Sequence, residues 1–415
     1  MALQSINFHQ LANGLSNVID LVGVDDVYHG KRVTFMCVET GRQLGLGQEA
    51  LLKLYYAGQL HDCGVSSTDV HKTLIDEMDW EGEQEHCQRG YELLKDQKLF
   101  SPLASILLYH HTHWRAMEAL CVPEETALLS NLVYMADRAD ALLLKGGFNP
   151  FVMGREAIQL KLLHYQDEYF APSLVQAFLD ASHADSFWHG LQPGHIQQYI
   201  TEFPRDGLVP GVPADTTCEG CLKEVAYLIA DITDSKSLYT AEHSRGVANL
   251  SRHLGMLSGL DEDTCDLLEI AGLLHDLGKL RVPDAILAKP EPLSARETAI
   301  MSGHAFETYQ ILRGMRGFEQ ISEWAGYHHE ALDGSGYPFG LKAEQLSLES
   351  RIVAVADVFH ALAQTRPYKP PSKAQAVLVG LQAKVLAGKI DTSLVQLVAD
   401  DLEACWNAAC GLSLK

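Results

Sequence analysis

The same ordered set of potential ligand side chains occurs twice in this chain, and that repeat constrains the fold more than any other feature. The first copy reads His29, His61-Asp62, His86, His110-His111 and Asp137; the second reads His243, His275-Asp276, His304, His328-His329 and Asp357. Successive gaps, the last measured from the second histidine of the pair, are 32, 25, 24 and 26 residues in the first copy and 32, 29, 24 and 28 in the second. The offset between copies drifts from 214 to 218 to 220, the pattern produced when loops rather than helices absorb insertions. Context repeats too: Leu60-His61-Asp62-Cys63-Gly64 matches Leu274-His275-Asp276-Leu277-Gly278, and Met135-Ala136-Asp137 matches Val355-Ala356-Asp357. Seven matched positions in one order argue against a chance self-alignment of a chain with 19 histidines. Two homologous domains are expected.

The boundary is expected near 203–217, where prolines and glycines interrupt the helical pattern. That divides the chain into an N-terminal domain over 1–205, a linker over 206–217 and a C-terminal domain over 218–415, each domain of ordinary size. Val247, Leu250, Leu254 and Leu257 form an apolar stripe at helical spacing. Ser294-Ala-Arg-Glu297 and Ser372-Lys-Ala-Gln375 have capping-box form before long helical segments. Alternating β-branched runs with hairpin turns are nearly absent. The expected class is all-α, two tandem helical domains joined by a Pro/Gly-containing linker.

Composition narrows the partners. With 32 Lys+Arg against 54 Asp+Glu, the net charge of −22 argues against tracking polymeric nucleic acid or docking on an anionic membrane. A small anionic substrate stays admissible, because bound cations invert the local field. The chain has no 18-residue apolar run, and its first residues lack a basic and then apolar leader, so a cytoplasmic protein is expected. The nine cysteines are scattered and do not form a disulfide framework, and the single Cys218-x-x-Cys221 pair reads as reduced thiols rather than a zinc site.

In the second copy, imidazole and carboxylate ligands suit iron, manganese, zinc or nickel better than magnesium. Five histidines and two aspartates exceed the needs of one octahedral ion, whereas two divalent ions sharing one carboxylate use them all. Asp276, flanked by His275, is the natural bridge. Such a pair of ions clamps both oxygens of an in-line phosphoryl displacement and activates a water between them. Lys279 lies four residues after His275 and three after Asp276, so on a continuing helix it shares their face and offers a fixed charge to a phosphate.

These residues resemble the HD metal-dependent phosphohydrolase superfamily. The segment from His328-His329-Glu330 through Asp333-Gly334-Ser335-Gly336-Tyr337-Pro338 is similar to the signature of its HD-GYP subgroup. Asp357-Val358-Phe359 and Arg366-Pro367-Tyr368-Lys369 add to the likeness, which spans about 231–370. The resemblance implies metal ligands at His243, His275, Asp276, His304, His328, His329 and Asp357, with iron or manganese first and nickel, zinc or magnesium also admitted. It implies catalytic roles for Asp276 and Lys279 and substrate contacts at Lys279, Tyr337, Arg366 and Lys369. The implied reaction is hydrolysis of cyclic di-GMP, or else cyclic GMP-AMP, to the linear dinucleotide. A homodimer or a signalling-protein partner is compatible with it.

Two positions depart from the subgroup. Tyr239 stands where members with a third metal carry glutamate, which favours two ions, and His360 stands where members commonly carry aspartate. In the first copy His29, His61, Asp62, His86, His110, His111 and Asp137 form a second candidate metal site. There Val65 replaces Lys279, Gly146 and Asn149 replace Arg366 and Lys369, and the Gly-Tyr-Pro segment has no counterpart. A regulatory first domain is therefore expected. The alternatives are a cyclic-dinucleotide receptor without turnover and a phosphohydrolase of mononucleotides.

Overall fold

The computed structural model describes residues 8–21, 28–65, 67, 82–145, 154–203, 219–236, 241–315, 317–364 and 373–411. Every regular element among them is helical. The chain forms two compact units, Asn7–Thr216 and Thr217–Lys415. In the first, the helices that carry or brace ligands are α1 (His29–Gln43), α2 (Gln48–Leu60), α3 (Glu83–Leu94), α4 (Ser101–Leu108) and α5 (Glu124–Lys145). In the second they are α6 (Ala241–Leu257), α7 (Glu262–Leu274), α8 (Ala295–Arg313), α9 (Glu319–Gly326), α10 (Leu348–Ala363), α11 (Ala374–Leu386) and α12 (Leu402–Cys410).

The apolar stripe of α6 is what packs it: Val247, Leu250 and Leu254 are fully buried. At the start of α8 the capping box is present. Glu297 N–H donates to Ser294 Oγ at 3.3 Å and Ser294 N–H donates to Glu297 Oε2 at 2.7 Å, satisfying two donors that the helix end would leave open. The second box cannot be traced, because its Ser372 is not among the described residues; α11 begins at Ala374 with Lys373 as N-cap. Tyr239, Arg366, Lys369, Gly146, Asn149, Cys218 and the side chain of Cys221 also lie outside the described residues.

Two glycines in each unit let the ligand-bearing backbone come close. A Cβ on Gly272 would sit 2.6 Å from Ala248 Cα, and one on Gly58 would sit 2.8 Å from Thr34 Cα. These side-chain-free crossings press α7 on α6, and α2 on α1, so that the rings of His275 and His243, and of His61 and His29, stand 5.1 Å apart in both units. Just beyond, a Cβ on Gly278 would lie 2.0 Å from the His304 carbonyl, and one on Gly64 1.9 Å from that of His86. The chain cannot continue as an α-helix through that contact. It passes instead into a 3₁₀ turn, Leu277–Arg281, with Asp276 at φ −96°, ψ 6°. This corrects the expectation of a continuing helical face for Lys279, which the tighter turn presents instead. Gly278 N–H donates to Thr308 Oγ1 at 2.9 Å and Thr308 Oγ1 donates to the His275 carbonyl at 3.0 Å, tying the turn to α8.

Candidate metal centres

Three of the second copy's imidazoles are oriented by the carbonyl three residues before them. His275 Nδ1–H donates to Gly272 O at 2.7 Å, His304 to Met301 O at 2.6 Å and His328 to Ala325 O at 2.6 Å. With the proton fixed on Nδ1, each Nε2 carries a lone pair. The Nε2 atoms converge in pairs: His304 and His328 Nε2 are 3.2 Å apart, as are His275 Nε2 and that of His243. Two buried lone pairs facing each other at that distance repel unless a cation lies between them. The donor set therefore fits metal ions.

Asp276 joins the two pairs. Its Oδ2 lies 3.3 Å from His275 Nε2 and 3.6 Å from His243 Nε2, while its Oδ1 lies 3.4 Å from His304 Nε2 and 4.0 Å from His328 Nε2. One carboxylate thus presents one oxygen to each histidine pair. Asp357 Oδ1 stands 3.3 Å from His243 Nε2, and its Oδ2 is 3.8 Å from His329 Nδ1. Lys279 Nζ donates to Asp276 Oδ2 at 2.5 Å. Burial raises the Asp276 carboxyl, but His275 and Lys279 outweigh it and hold it well below the usual carboxylate range. Burial lowers His304 to about 4 and holds His328 well below its ordinary value, so both rings stay neutral donors.

One side of this centre is open. The His329 side chain is 30% exposed. It lines a cleft of about 230 Å³ with Ser335, Tyr337, Val358, Lys384 and Lys389. Glu330 shapes that edge by accepting the Phe339 N–H at 2.7 Å and the Leu341 N–H at 2.9 Å, and the Tyr337 ring stands 4.8 Å from that of His329. Gly334 has φ +79°, the left-handed region that favours glycine. Gly336 does not share it, and is there because a Cβ would lie 2.3 Å from Ala331 N.

The first copy builds the same core. His29 and His61 Nε2, and His86 and His110 Nε2, are again 3.2 Å apart. Asp62 Oδ2 lies 3.5 and 3.4 Å from the first pair, and its Oδ1 lies 3.9 Å from His86. Asp137 Oδ2 stands 3.5 Å from His111 Nε2. Neither buried ring nitrogen of His111 makes a hydrogen bond among the described residues, so its Nε2, facing Asp137, has a lone pair to offer once the proton is on Nδ1.

The surroundings differ. His111 is 1% exposed, where the corresponding His329 side chain is 30% exposed. A cation that the comparison of the Lys279, Arg366 and Lys369 positions does not reveal stands here: buried Arg138 donates from Nη2 to Asp137 Oδ2 at 2.7 Å. Glu83 Oε2 adds a carboxylate 3.5 Å from His111 Nδ1. Sequence reasoning overlooks Arg138, Glu83, Lys384 and Lys389. At the repeat offset, Arg138 aligns with Val358, a difference that marks the position but not the direction of the side chain.

The rings set an acid limit. Unfolded imidazoles take up protons near 6.5, whereas burial delays this to about 4 for His304 and His86. Protons therefore favour the unfolded chain as pH falls from about 6.5 to about 4, and His110, His111, His328 and His360 act in the same sense. His29 and His275, in which burial is outweighed by aspartate neighbours, oppose it but are fewer. The metal-free protein should melt at a lower temperature at pH 5 than at pH 7. A flat or rising melting temperature over that interval contradicts the assignment.

Models of the HD domain family match residues 27–143 and residues 227–394. The chain is 31% identical over 398 residues to 3′3′-cGAMP-specific phosphodiesterase 1 of Vibrio cholerae, spanning 95% of this chain and 91% of that protein. It is 44% identical over 128 residues to a cyclic di-GMP phosphodiesterase response regulator of Xanthomonas campestris, which is 30% of this chain and 34% of that one. A crystal structure of a cyclic GMP-AMP specific phosphodiesterase of V. cholerae has the same fold, with a TM-score of 0.66 at 24% identity over 96% of this chain and 98% of that one. No helix among the described residues is long and apolar enough to cross a membrane.

Proposed function

This chain belongs to the HD-GYP group of the HD-domain phosphohydrolases, and on that premise we propose that its C-terminal site hydrolyses a cyclic dinucleotide to the linear dinucleotide. The observation that carries this reading is the Asp276 carboxylate, with one oxygen turned to each histidine pair beside an open cleft. We assign the site two divalent ions, iron or manganese, held by His243, His275, Asp276, His304, His328, His329 and Asp357. Such ions polarise phosphoryl oxygens and lower the pKa of the attacking water.

The chain's own groups do the rest. Lys279 places a positive charge beside Asp276, where the scissile phosphate must lie. Tyr337, held against His329, forms a wall on which a base can stack. The second phosphate needs its own cations in a protein of charge −22, and Lys384 and Lys389 line the cleft. Arg366 and Lys369 remain candidates for the same task. In a Lys384→Ala/Lys389→Ala variant, KM for the cyclic dinucleotide should rise about tenfold or more, the scale of one lost charged hydrogen bond, with kcat nearly kept. An unchanged KM in steady-state kinetics removes these lysines from the substrate site.

We read the first copy as a metal-holding regulatory centre without turnover, because His111 is buried where His329 is partly exposed and Arg138 occupies Asp137. The deciding experiment is product analysis of manganese- and iron-loaded full-length protein on cyclic di-GMP and 3′3′-cGAMP. Both belong in the panel, since the relative matching along most of the chain carries the second name and shorter matches the first. A linear dinucleotide from either supports the reading, and two intact substrates overturn it.

A further inference from the structure

The two copies differ behind their first ligand in a concerted way. In the first, His29 Nδ1–H donates to Asp140 Oδ2 at 2.8 Å. Arg32 clamps that carboxylate, with Nε 2.6 Å from Oδ1 and Nη2 2.7 Å from Oδ2, and Asp140 is fully buried. At the repeat offsets of 214 and 220, Arg32 corresponds to Gly246 and Asp140 to His360. Both members of the pair have changed. In the second copy His243 Nδ1 lies 3.0 Å from His360 Nδ1, and the His360 ring bonds the Ala409 backbone from α12. A Cβ on Gly246 would stand 2.2 Å from His360 Cδ2, 2.3 Å from its Nε2 and 2.5 Å from Ala409 O. No side chain at 246 is compatible with that ring, so the glycine and the histidine go together.

We propose that His360 is the positioning residue of the C-terminal site, fixing the tautomer of His243 through a His243–His360–Ala409 hydrogen-bond chain for which Gly246 makes the room. This rests on the reading of His243 as a ligand. Its Nε2 faces Asp357 and Asp276, so a metal-facing lone pair requires the proton on Nδ1. His243 Nδ1–H then donates to His360 Nδ1, which must be the acceptor. The His360 proton consequently lies on Nε2, where the Ala409 carbonyl accepts it. The swap conserves buried charge, since a neutral ring replaces a paired carboxylate and guanidinium. It changes strength: a carboxylate draws the ligand's proton and makes the imidazole a stronger donor, and a neutral ring draws it less. The C-terminal centre therefore holds its His243-bound ion less tightly than the carboxylate-backed N-terminal centre.

The test uses full-length His360→Asn, His360→Phe and His360→Asp. Manganese bound per chain is read by equilibrium dialysis, with the N-terminal site adding the same increment throughout, and kcat and KM are read on the cyclic dinucleotide. Asn places an acceptor oxygen where Nδ1 stood and should keep wild-type affinity. Phe keeps the ring volume without an acceptor and should weaken manganese binding about 10- to 100-fold, with kcat falling and KM unmoved. A purely space-filling role gives the opposite order. Normal manganese binding by His360→Phe overturns the proposal, as does an Asn variant as damaged as Phe. Should Phe not fold, His360→Asp decides, because it keeps Gly246 and sets the first copy's acceptor behind His243: wild-type or tighter binding supports the proposal, whereas an about 10- to 100-fold loss overturns it. A wild-type protein that neither binds manganese nor turns over would fail the proposed function instead.

Discussion

Asp276→Ala is expected to abolish hydrolysis and to empty the C-terminal site while leaving metal in the N-terminal one. The two Asp276 oxygens stand 3.3 to 4.0 Å from four different Nε2 atoms. A methyl group leaves both histidine pairs with converging lone pairs and no shared anion, so neither ion keeps its charge balance. Lys279 loses its partner in the same step. Metal analysis and turnover on the full chain check this. Near-normal turnover would mean that the two-ion assignment is wrong or that the N-terminal site is itself catalytic. The metal that remains should disappear on adding Asp62→Ala, because Asp62 occupies the corresponding place between His29, His61 and His86.

Lys279→Ala should keep the metal content and lose about 10²- to 10³-fold in kcat, the usual scale for removing one preorganised charge donor. The ammonium is bound to one Asp276 oxygen, yet its side chain is 25% exposed, so it faces substrate as well as ligand. The first copy carries Val65 at this position, 2% exposed, and so presents buried methyl groups where the second presents a charge. Single-turnover rates together with metal analysis separate the outcomes. Loss of metal instead of rate would make Lys279 a support for Asp276 and remove it from the phosphate.

The sequence by itself determined the all-helical class, the family and the existence of two ligand sets. Helical class is written in local periodicity and caps such as Ser294-Glu297. The ligand sets are written in side-chain identity at repeated spacing, which survives insertions in loops. The sequence did not carry the exposure of those ligands or the direction of their neighbours. The same seven residue types place a partly exposed imidazole beside a cleft at His329 and a buried one at His111, because the difference lies in what packs over them. Arg138 reaches Asp137, and His360 reaches His243 across 117 residues, along directions set by which helix faces meet. The turn at Lys279 is tighter than its local pattern suggests, since Gly278 abuts a carbonyl from α8. Contacts between segments distant in sequence have no local period to betray them, so only the tertiary structure decided which imidazoles are exposed, which charges stay available and what stands behind each candidate ligand.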